Sequence, residues 1–455
     1  MQTIQGHKKV KNRKHNKNAT SIQSKPSVPT TIEVAPPKEE RDILLCIAVA
    51  LLFVYVLANI FIGSVVFFYT FPEQYAWSEL MINYQAGFIR RGLIGDILWQ
   101  TKEVFDFRFT AMLLVLMCLI VFYILMYKKL INAYDKYLVF FLCASPTLLI
   151  FLPVNLAELF RKDIFILTAL LLQFDFISQY IQQKISTYKV YTFVLILFLV
   201  GTLIHEILIF FTLLPALLLW QEECKRGRGA FAFIGIGVVL ATVTLFIGMH
   251  LGTREQAEII AQSWESLLEL PQGLLISKNY ALEWFGTDIH YLWNEMSLGR
   301  ALWLGAFYTT IAFFLGALPL IVVYYAYDFK GSIKNYFTIP YYPFFLIFAL
   351  IFPFCLFIML LDHGRVVFFT MSYYLFFFIT MQEISPKKKR VEYITFINHL
   401  LQNCKFYCFI LCLVLLYACT WRVVTYRHEH ILQVSMPMKA LLISLDIFPC
   451  SLPPQ

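Results

Sequence analysis

Charge is scarce in this chain. Asp, Glu, Lys and Arg make up 15% of its 455 residues, where an ordinary globular domain carries roughly 25%. Hydrophobic residues make up 59%, the mean hydropathy is strongly positive, and long apolar runs recur. That excludes an ordinary soluble domain and points to a polytopic membrane protein. Barrel-type alternation is also absent, so the spans are expected to be helices, which pair every backbone group within the segment. The fold class expected is all-α, with about eleven transmembrane helices.

Other absences narrow the chemistry. The ten cysteines form no Cys-x-x-Cys pair and no Cys/His ligand spacing, which excludes a disulfide framework or a zinc site of the usual kinds. Those inside apolar segments, such as Cys118, Cys143, Cys355, Cys408 and Cys412, read as small hydrophobes. His205-Glu206 has no second His at the H-E-x-x-H spacing, so it is not a metalloprotease motif. No internal repeat is visible, so an inverted-repeat transporter has no support from pattern. No cofactor is expected; a divalent cation is compatible with the residues and not indicated by them. The net charge of +8 is no nucleic-acid signal, because it sits in an N-terminal arm and in loops where Lys and Arg set topology.

Residues 1–41 are polar and basic and read as a disordered cytoplasmic arm. They do not have the form of a secretory signal peptide. Apolar runs follow at 43–69, 109–127, 137–154, 164–181, 190–220, 230–251, 301–327, 339–361, 366–381 and 406–424. The run 190–220 is long for one crossing and is interrupted by His205-Glu206. Two short helices turning there bring Lys225, Arg226 and Arg228 to the cytoplasmic side, as the positive-inside bias requires. With that turn the count is eleven, over a transmembrane domain of 42–424. The basic loops 1–41, 128–136, 182–189, 221–228, 328–334 and 385–405 then all fall inside. The loops at about 70–107 and 252–300 and the tail 425–455 fall outside. In the second outer loop, residues 254–270 have helical periodicity and read as an interfacial helix.

Five polar clusters share the outer face on this layout: Arg90/Arg91/Asp96 in the segment 83–96, Glu158/Arg161/Lys162/Asp163, His205/Glu206, Asp288/His290 with Arg300, and Asp362/His363/Arg365. Ionisable residues at membrane depth are costly, and they pair or serve a function. Arginine suits phosphate as a two-pronged donor and lysine as a point charge. Carboxylates and histidines suit general-base work on a hydroxyl. Each cluster also has a plain reading. Arg90 and Arg91 can snorkel, Glu158 and Lys162 stand at i and i+4 as a helix pair, Asp163 can cap a span, and Asp362 and Arg365 can satisfy each other in a turn. Asp288 and His290 read as exposed loop residues. The convergence of several clusters on one face is the signal.

The segment FIRRGLIGD, the RKD before a span, the HE inside a long apolar run and the D-x-G-R turn together resemble features of polytopic bacterial envelope-polysaccharide proteins. These are C-type (GT-C) glycosyltransferases and O-antigen or capsule polymerases. The resemblance implies undecaprenyl-linked sugar chemistry at the outer face of the inner membrane, and the basic arm 1–41 separately places the N-terminus on the cytoplasmic side. It also implies a catalytic acid in the first outer loop, often paired. This chain departs there, with only isolated Glu73, Glu79 and Asp96.

The expectation is a membrane glycosyltransferase or polysaccharide polymerase with a polyprenyl-linked sugar donor and a saccharide acceptor. Arg90, Arg91, Glu158, Arg161, Lys162 and Arg365 are its candidate substrate-binding residues. Asp96, His205, Glu206 and Asp362 are its candidate catalytic ones. Two readings stand beside it: a lipid-linked saccharide carrier or other transporter, and an acyltransferase working through His205.

Overall fold

The structure is a computed structural model and describes residues 38–69, 71, 75–155, 159–277, 281–285, 300–327, 329–337, 342–354, 363–384, 404–423 and 432–434. Backbone contacts divide the chain into Met1–Ala35 and Pro36–Gln455, and every described residue belongs to the second unit. That unit is built from helices: α1 (Lys38–Tyr69), α2 (Tyr75–Leu80), α3 (Gly92–Thr101), α4 (Phe107–Ala133), α5 (Lys136–Cys143), α6 (Phe151–Val154), α7 (Asp163–Ile181), α8 (Thr187–Ile204), α9 (Leu208–Phe211), α10 (Leu213–Lys225), α11 (Gly229–Met249), α12 (Arg254–Leu267), α13 (Arg300–Ala326), α14 (Phe329–Tyr336), α15 (Tyr342–Ile351), α16 (His363–Ile384) and α17 (Cys404–Thr420). A three-residue antiparallel pair, β1 (Trp421–Val423) with β2 (Leu432–Val434), follows.

Among the described residues, six helices are long and apolar enough to cross a membrane: Asp42–Tyr69 of α1, α4, α7, α8, α11 and Gly364–Ile384 of α16. Shorter apolar stretches lie in α13, α15 and α17. The chain is therefore a multi-pass membrane protein. The single span expected over 137–154 is corrected. It is two short helices, α5 and α6, separated by turns. Pro146 has no N–H to give and pushes Ser145 out of helical conformation. The Ser145 and Thr147 hydroxyls bond each other at that break.

The crossing helices form an inner and an outer set. The apolar stretch of α16 is 89% buried and that of α7 67%, against 11% for α11 and 22% for α1. α7 and α16 pack on each other and on α4, with α8 against α7 and α13 against α16. The outer helices turn large apolar side chains such as Phe61 and Phe231 away from the protein, as lipid-facing surfaces do.

The run 190–220 breaks at His205-Glu206, and the chain reverses there. α8 ends at Ile204 beside the start of α7, because His205 lies near Glu79 and Glu206 bonds Arg91 while the Lys162 amine bonds the Arg91 carbonyl. α10 then returns to the other end of α7, where Arg226 donates to the Tyr180 carbonyl (3.3 Å) and Arg228 reaches the Thr187 hydroxyl (3.4 Å). Two ends follow. At the Lys225 end lie the α4 terminus, the α7–α8 turn, the α10–α11 turn and the end of α16, joined by Lys129–Glu383. At the His205 end lie the starts of α7 and α16, the 75–101 segment and α12.

α12 is amphipathic, as expected of residues 254–270, and starts in a capping box between Thr253 and Gln256. It covers the 75–101 segment: Trp264 Nε1 donates to the Met81 carbonyl (2.6 Å) and Gln256 Nε2 to that of Ala86 (3.2 Å).

Candidate functional site

The 75–101 segment is held rigidly by its aromatic residues. The Trp77 ring stacks on Phe67 (centroids 3.9 Å apart) and its indole N–H donates to the Phe67 carbonyl (2.9 Å). The Ser78 hydroxyl accepts from the Ala281 N–H (2.7 Å). Glu79 is thereby fixed on α2 with no exposure to solvent. The chain then doubles back through an Asn83 turn, in which the side-chain oxygen accepts from the Gln85 N–H (3.1 Å), and through Gly87 at φ +88. The Arg90 N–H donates to the His250 carbonyl (3.1 Å). Arg91 sits at φ +64, a left-handed conformation that a non-glycine residue adopts at a cost of about 1 kcal/mol or more. Gly95 explains the last glycine of the motif. A Cβ there would stand 2.0 Å from the Ile82 carbonyl oxygen, so only glycine lets α3 lie this close.

Four chain segments bring charge to one buried place. Glu206 accepts from Arg90 Nη1 (2.8 Å) and is gripped by Arg91 through Nε (2.9 Å) and Nη2. Arg161 Nε donates to Glu79 Oε2 (2.9 Å), and its guanidinium lies over the Tyr75 ring at 4.9 Å. Arg365, in the first turn of α16, bonds Asp163 with both arms of its fork (Nε 2.7 Å) and stands 3.7 Å from Glu79 Oε1. Asp163 opens α7, where a carboxylate also suits the positive end of the helix. The Lys162 amine donates to the Arg91 carbonyl and has no solvent exposure.

His205 completes the centre. Its Nδ1 accepts from the Ile207 N–H (3.2 Å), which puts the ring proton on Nε2. Nε2 stands 3.7 Å from Glu79 Oε1, beyond hydrogen-bond range. Both atoms are buried and neither has a hydrogen-bond partner. Burial, with Arg91 close by, pulls the His205 imidazole well below its ordinary range, so the ring is neutral. Burial alone would raise Glu79, yet Arg161 and Arg365 hold it well below the usual carboxylate range. Arg91 does the same for Glu206. Burial lowers Lys162 to about 7, since Glu79 and Glu206 offset only part of that cost.

The structure thus brings together Arg90, Arg91, Arg161, Lys162, His205, Glu206 and Arg365 out of the residues picked from sequence. It does not bring in Asp96, which sits beside Tyr84 on α3; burial and the Asp96 charge push that tyrosine up to about 12. Glu158, Asp288, His290 and Asp362 lie outside the described residues, as do the side chains of Arg300 and His363. Sequence reasoning gave Glu79 no special weight among three isolated acids, and read Asp163 as a cap. The one signal for Glu79 was its position as an acid in the loop that carries the arginines.

Among the described residues, no three His, Cys, Asp or Glu side chains are grouped to hold a metal ion. No family model, curated protein or solved structure matches this chain.

Proposed function

We propose that the chain is a membrane glycosyltransferase or polysaccharide polymerase of a bacterial inner membrane, acting on a sugar linked to a polyprenyl phosphate or pyrophosphate. On this reading it crosses about eleven times, with a GT-C-like layout, the N-terminus cytoplasmic and the His205 end outside. Support for the orientation comes from the Lys225 end, where the loops 128–136, 182–189 and 221–228 collect lysines and arginines.

One observation carries the reading. Among the described residues, five basic groups (Arg90, Arg91, Arg161, Lys162 and Arg365) meet three carboxylates (Glu79, Asp163 and Glu206); Arg161, Lys162, Arg365, Glu79 and Asp163 are buried, and Arg90, Arg91 and Glu206 show 21%, 13% and 17% of their side chains. With Lys162 protonated, two positive charges are left over among the described residues. A buried excess of cations at a helix-lined membrane end suits an anion that arrives from the bilayer, and a lipid-linked phosphate is such an anion. The arginines and Lys162 hold the phosphate and offset the charge that develops on it as the sugar leaves.

His205 and Glu79 suit the acceptor hydroxyl. Its oxygen takes a hydrogen bond from Nε2–H of His205, and its own proton points at Glu79 Oε1. The oxygen bonds to the anomeric carbon, the bond from that carbon to the phosphate oxygen breaks, and the hydroxyl proton passes to Glu79. This gives the first outer loop its acid, in place of Asp96.

A second observation favours the carrier reading. The inner helices α7 and α16 also carry charge at the Lys225 end, where Lys129 binds Asp175 (2.6 Å) and Glu383 (2.9 Å). A carrier exposes its cargo site to both sides, and a transferase does not.

The test is surface polysaccharide in a host lacking the chain. Wild type restores polymer length on a gel, and Arg91→Ala, Glu206→Gln and Glu79→Gln abolish it while inserting to normal levels. Full polymer from all three variants overturns the reading. Transbilayer movement of lipid-linked sugar in sealed vesicles with no sugar transfer decides for the carrier.

A further inference from the structure

The three carboxylates of the site are already used. Glu206 is taken by Arg90 and Arg91, Glu79 by Arg161, and Asp163 by Arg365. Lys162 is left with a single hydrogen bond, to the Arg91 carbonyl, although an ammonium can donate three. Among the described residues no carboxylate stands within ion-pair distance of it, and it has no exposure to water. The backbone makes this arrangement durable. Arg91 is held in its left-handed conformation with its side chain gripped by Glu206, so its carbonyl is fixed where the Lys162 amine ends. The arginines differ from Lys162 in kind as well as in pairing, because a guanidinium stays charged in any protein and a buried amine does not.

We propose that Lys162 is the ligand-dependent cation of the site: its amine binds a phosphate oxygen of the substrate and takes up one proton from solution as it does so. This rests on the phosphate-binding reading above and adds its regulation. Without ligand, four permanent guanidinium charges face three carboxylates among the described residues, and a fifth buried cation is expensive. A phosphate dianion reverses that balance, so a protonated Lys162 becomes favourable when the anion arrives. The neutral amine gains a proton and the phosphate loses none, so charge and atoms balance with water as the proton source.

The groups facing Lys162 leave it alone in titrating near neutrality. Glu79 and Glu206 are held below the usual carboxylate range and His205 below the usual histidine range. Tyr75 is raised by burial and by Glu79. Asp163 and Arg365 are locked in their two-pronged pair, and Arg90, Arg91 and Arg161 are guanidinium groups. The amine itself is lowered to about 7 by burial. Binding that requires a proton weakens as pH rises above that value, by up to about tenfold per pH unit. The second ionisation of a phosphate monoester, near pH 6, is complete by then and does not mask the effect.

The experiment uses the full chain in phosphatidylcholine nanodiscs. Undecaprenyl phosphate and, separately, methyl phosphate, a water-soluble phosphate monoester, are titrated calorimetrically from pH 7 to 9, in two buffers of different ionisation heat. Wild type is expected to take up close to one proton at pH 8.5, with affinity falling up to tenfold per pH unit. K162R is expected to bind with no uptake and no pH dependence, and K162M to bind at least tenfold more weakly. Binding that ignores pH with zero uptake, or unchanged uptake in K162R, overturns the assignment to Lys162 and leaves the phosphate reading standing. Methyl phosphate binding with uptake, but no binding of undecaprenyl phosphate, keeps the role of Lys162 and removes the lipid-linked substrate. Failure of both probes to bind wild type overturns both.

Discussion

At the His205 end, five basic side chains meet three carboxylates among the described residues, five of the eight buried and Arg90, Arg91 and Glu206 partly exposed. At the Lys225 end, among the described residues, Lys129, Lys225, Arg226 and Arg228 pair with Asp175, Glu383, Glu222 and Glu223, and the further lysines Lys128, Lys184 and Lys189 are exposed to solvent. Exposure follows within each end: Arg161 and Arg365 show 7% and 5% of their side chains and Arg91 and Arg90 13% and 21%, against 13% for Lys129, 30% for Arg226 and 47% for Arg228. Both ends belong to the same inner helices, so the difference is not one of scaffold. Charge that only terminates helices is matched and wetted. Charge that is unmatched and buried costs folding energy, and such groups are kept where they do something else.

Arg365→Ala is expected to break this contrast most severely. It strands Asp163, and removes one of the cations from Glu79, with no solvent to replace either. Removing one partner of a buried pair costs about 3–5 kcal/mol, so little folded protein should survive detergent extraction on fluorescence-detected size exclusion. Arg365→Lys keeps the charge and loses the two-pronged geometry, and should recover part of the fold.

Lys129→Met asks whether the Lys225 end is as demanding. It leaves Asp175 and Glu383 facing each other, but both keep partial contact with solvent. The expected loss is about 2 kcal/mol, read as a lower unfolding temperature. Polymer synthesis should persist in whatever folds. Loss of synthesis with the fold intact would turn the comparison around and favour the carrier.

Much of the site is legible in the sequence, because lipid makes every ionisable residue conspicuous. Arg90, Arg91, Arg161, Lys162, His205, Glu206 and Arg365 all stand out against apolar runs, and the reversal at His205-Glu206 follows from the length of 190–220 and the basic residues after it. What sequence does not carry is who meets whom. Asp96 lies five residues from Arg91, on the far side of the α3 start, whereas Glu79 lies twelve away and is folded beneath it by Trp77 and Ser78. The break at Ser145-Pro146 is hidden for another reason. Its hydrophobic run continues straight through the proline, so hydropathy reads one span where backbone chemistry makes two pieces.

Titration separates the ends with smaller effects. Glu79 and Glu206 are held below the ordinary carboxylate range. Their contribution is complete above the unfolded value of about 4.3 and is lost as pH falls through the lower folded values, so the unfolding temperature should stay level between pH 7 and 5 on their account. Lys162 acts in the other direction. Its folded value is about 7 against the ordinary 10.5, so between these the unfolded chain binds more protons and stability rises with pH. A rise of roughly 1.5 kcal/mol between pH 7 and 8.5 is expected in wild type and should vanish in K162M. If K162M keeps the rise, another group is titrating.

Arg226→Ala should have the smallest effect. Arg226 pairs with Glu222 one turn back (3.0 Å), lies over the Tyr180 ring at 4.1 Å and is a third exposed. A pair of this kind on a wetted helix surface is worth about 0.3–0.5 kcal/mol, with a comparable gain from the ring. The net loss should stay near 1 kcal/mol and shrink further in high salt, because water reaches both partners. The matching substitution at the His205 end, Arg161→Ala, should be insensitive to salt, since Arg161 and Glu79 show only 7% and 0% of their side chains and ions do not reach a pair that excludes water. Measuring both at low and high salt isolates burial from charge. Equal salt dependence would mean that the His205 end is open to solvent, and the buried excess of positive charge on which the phosphate reading rests would be screened away.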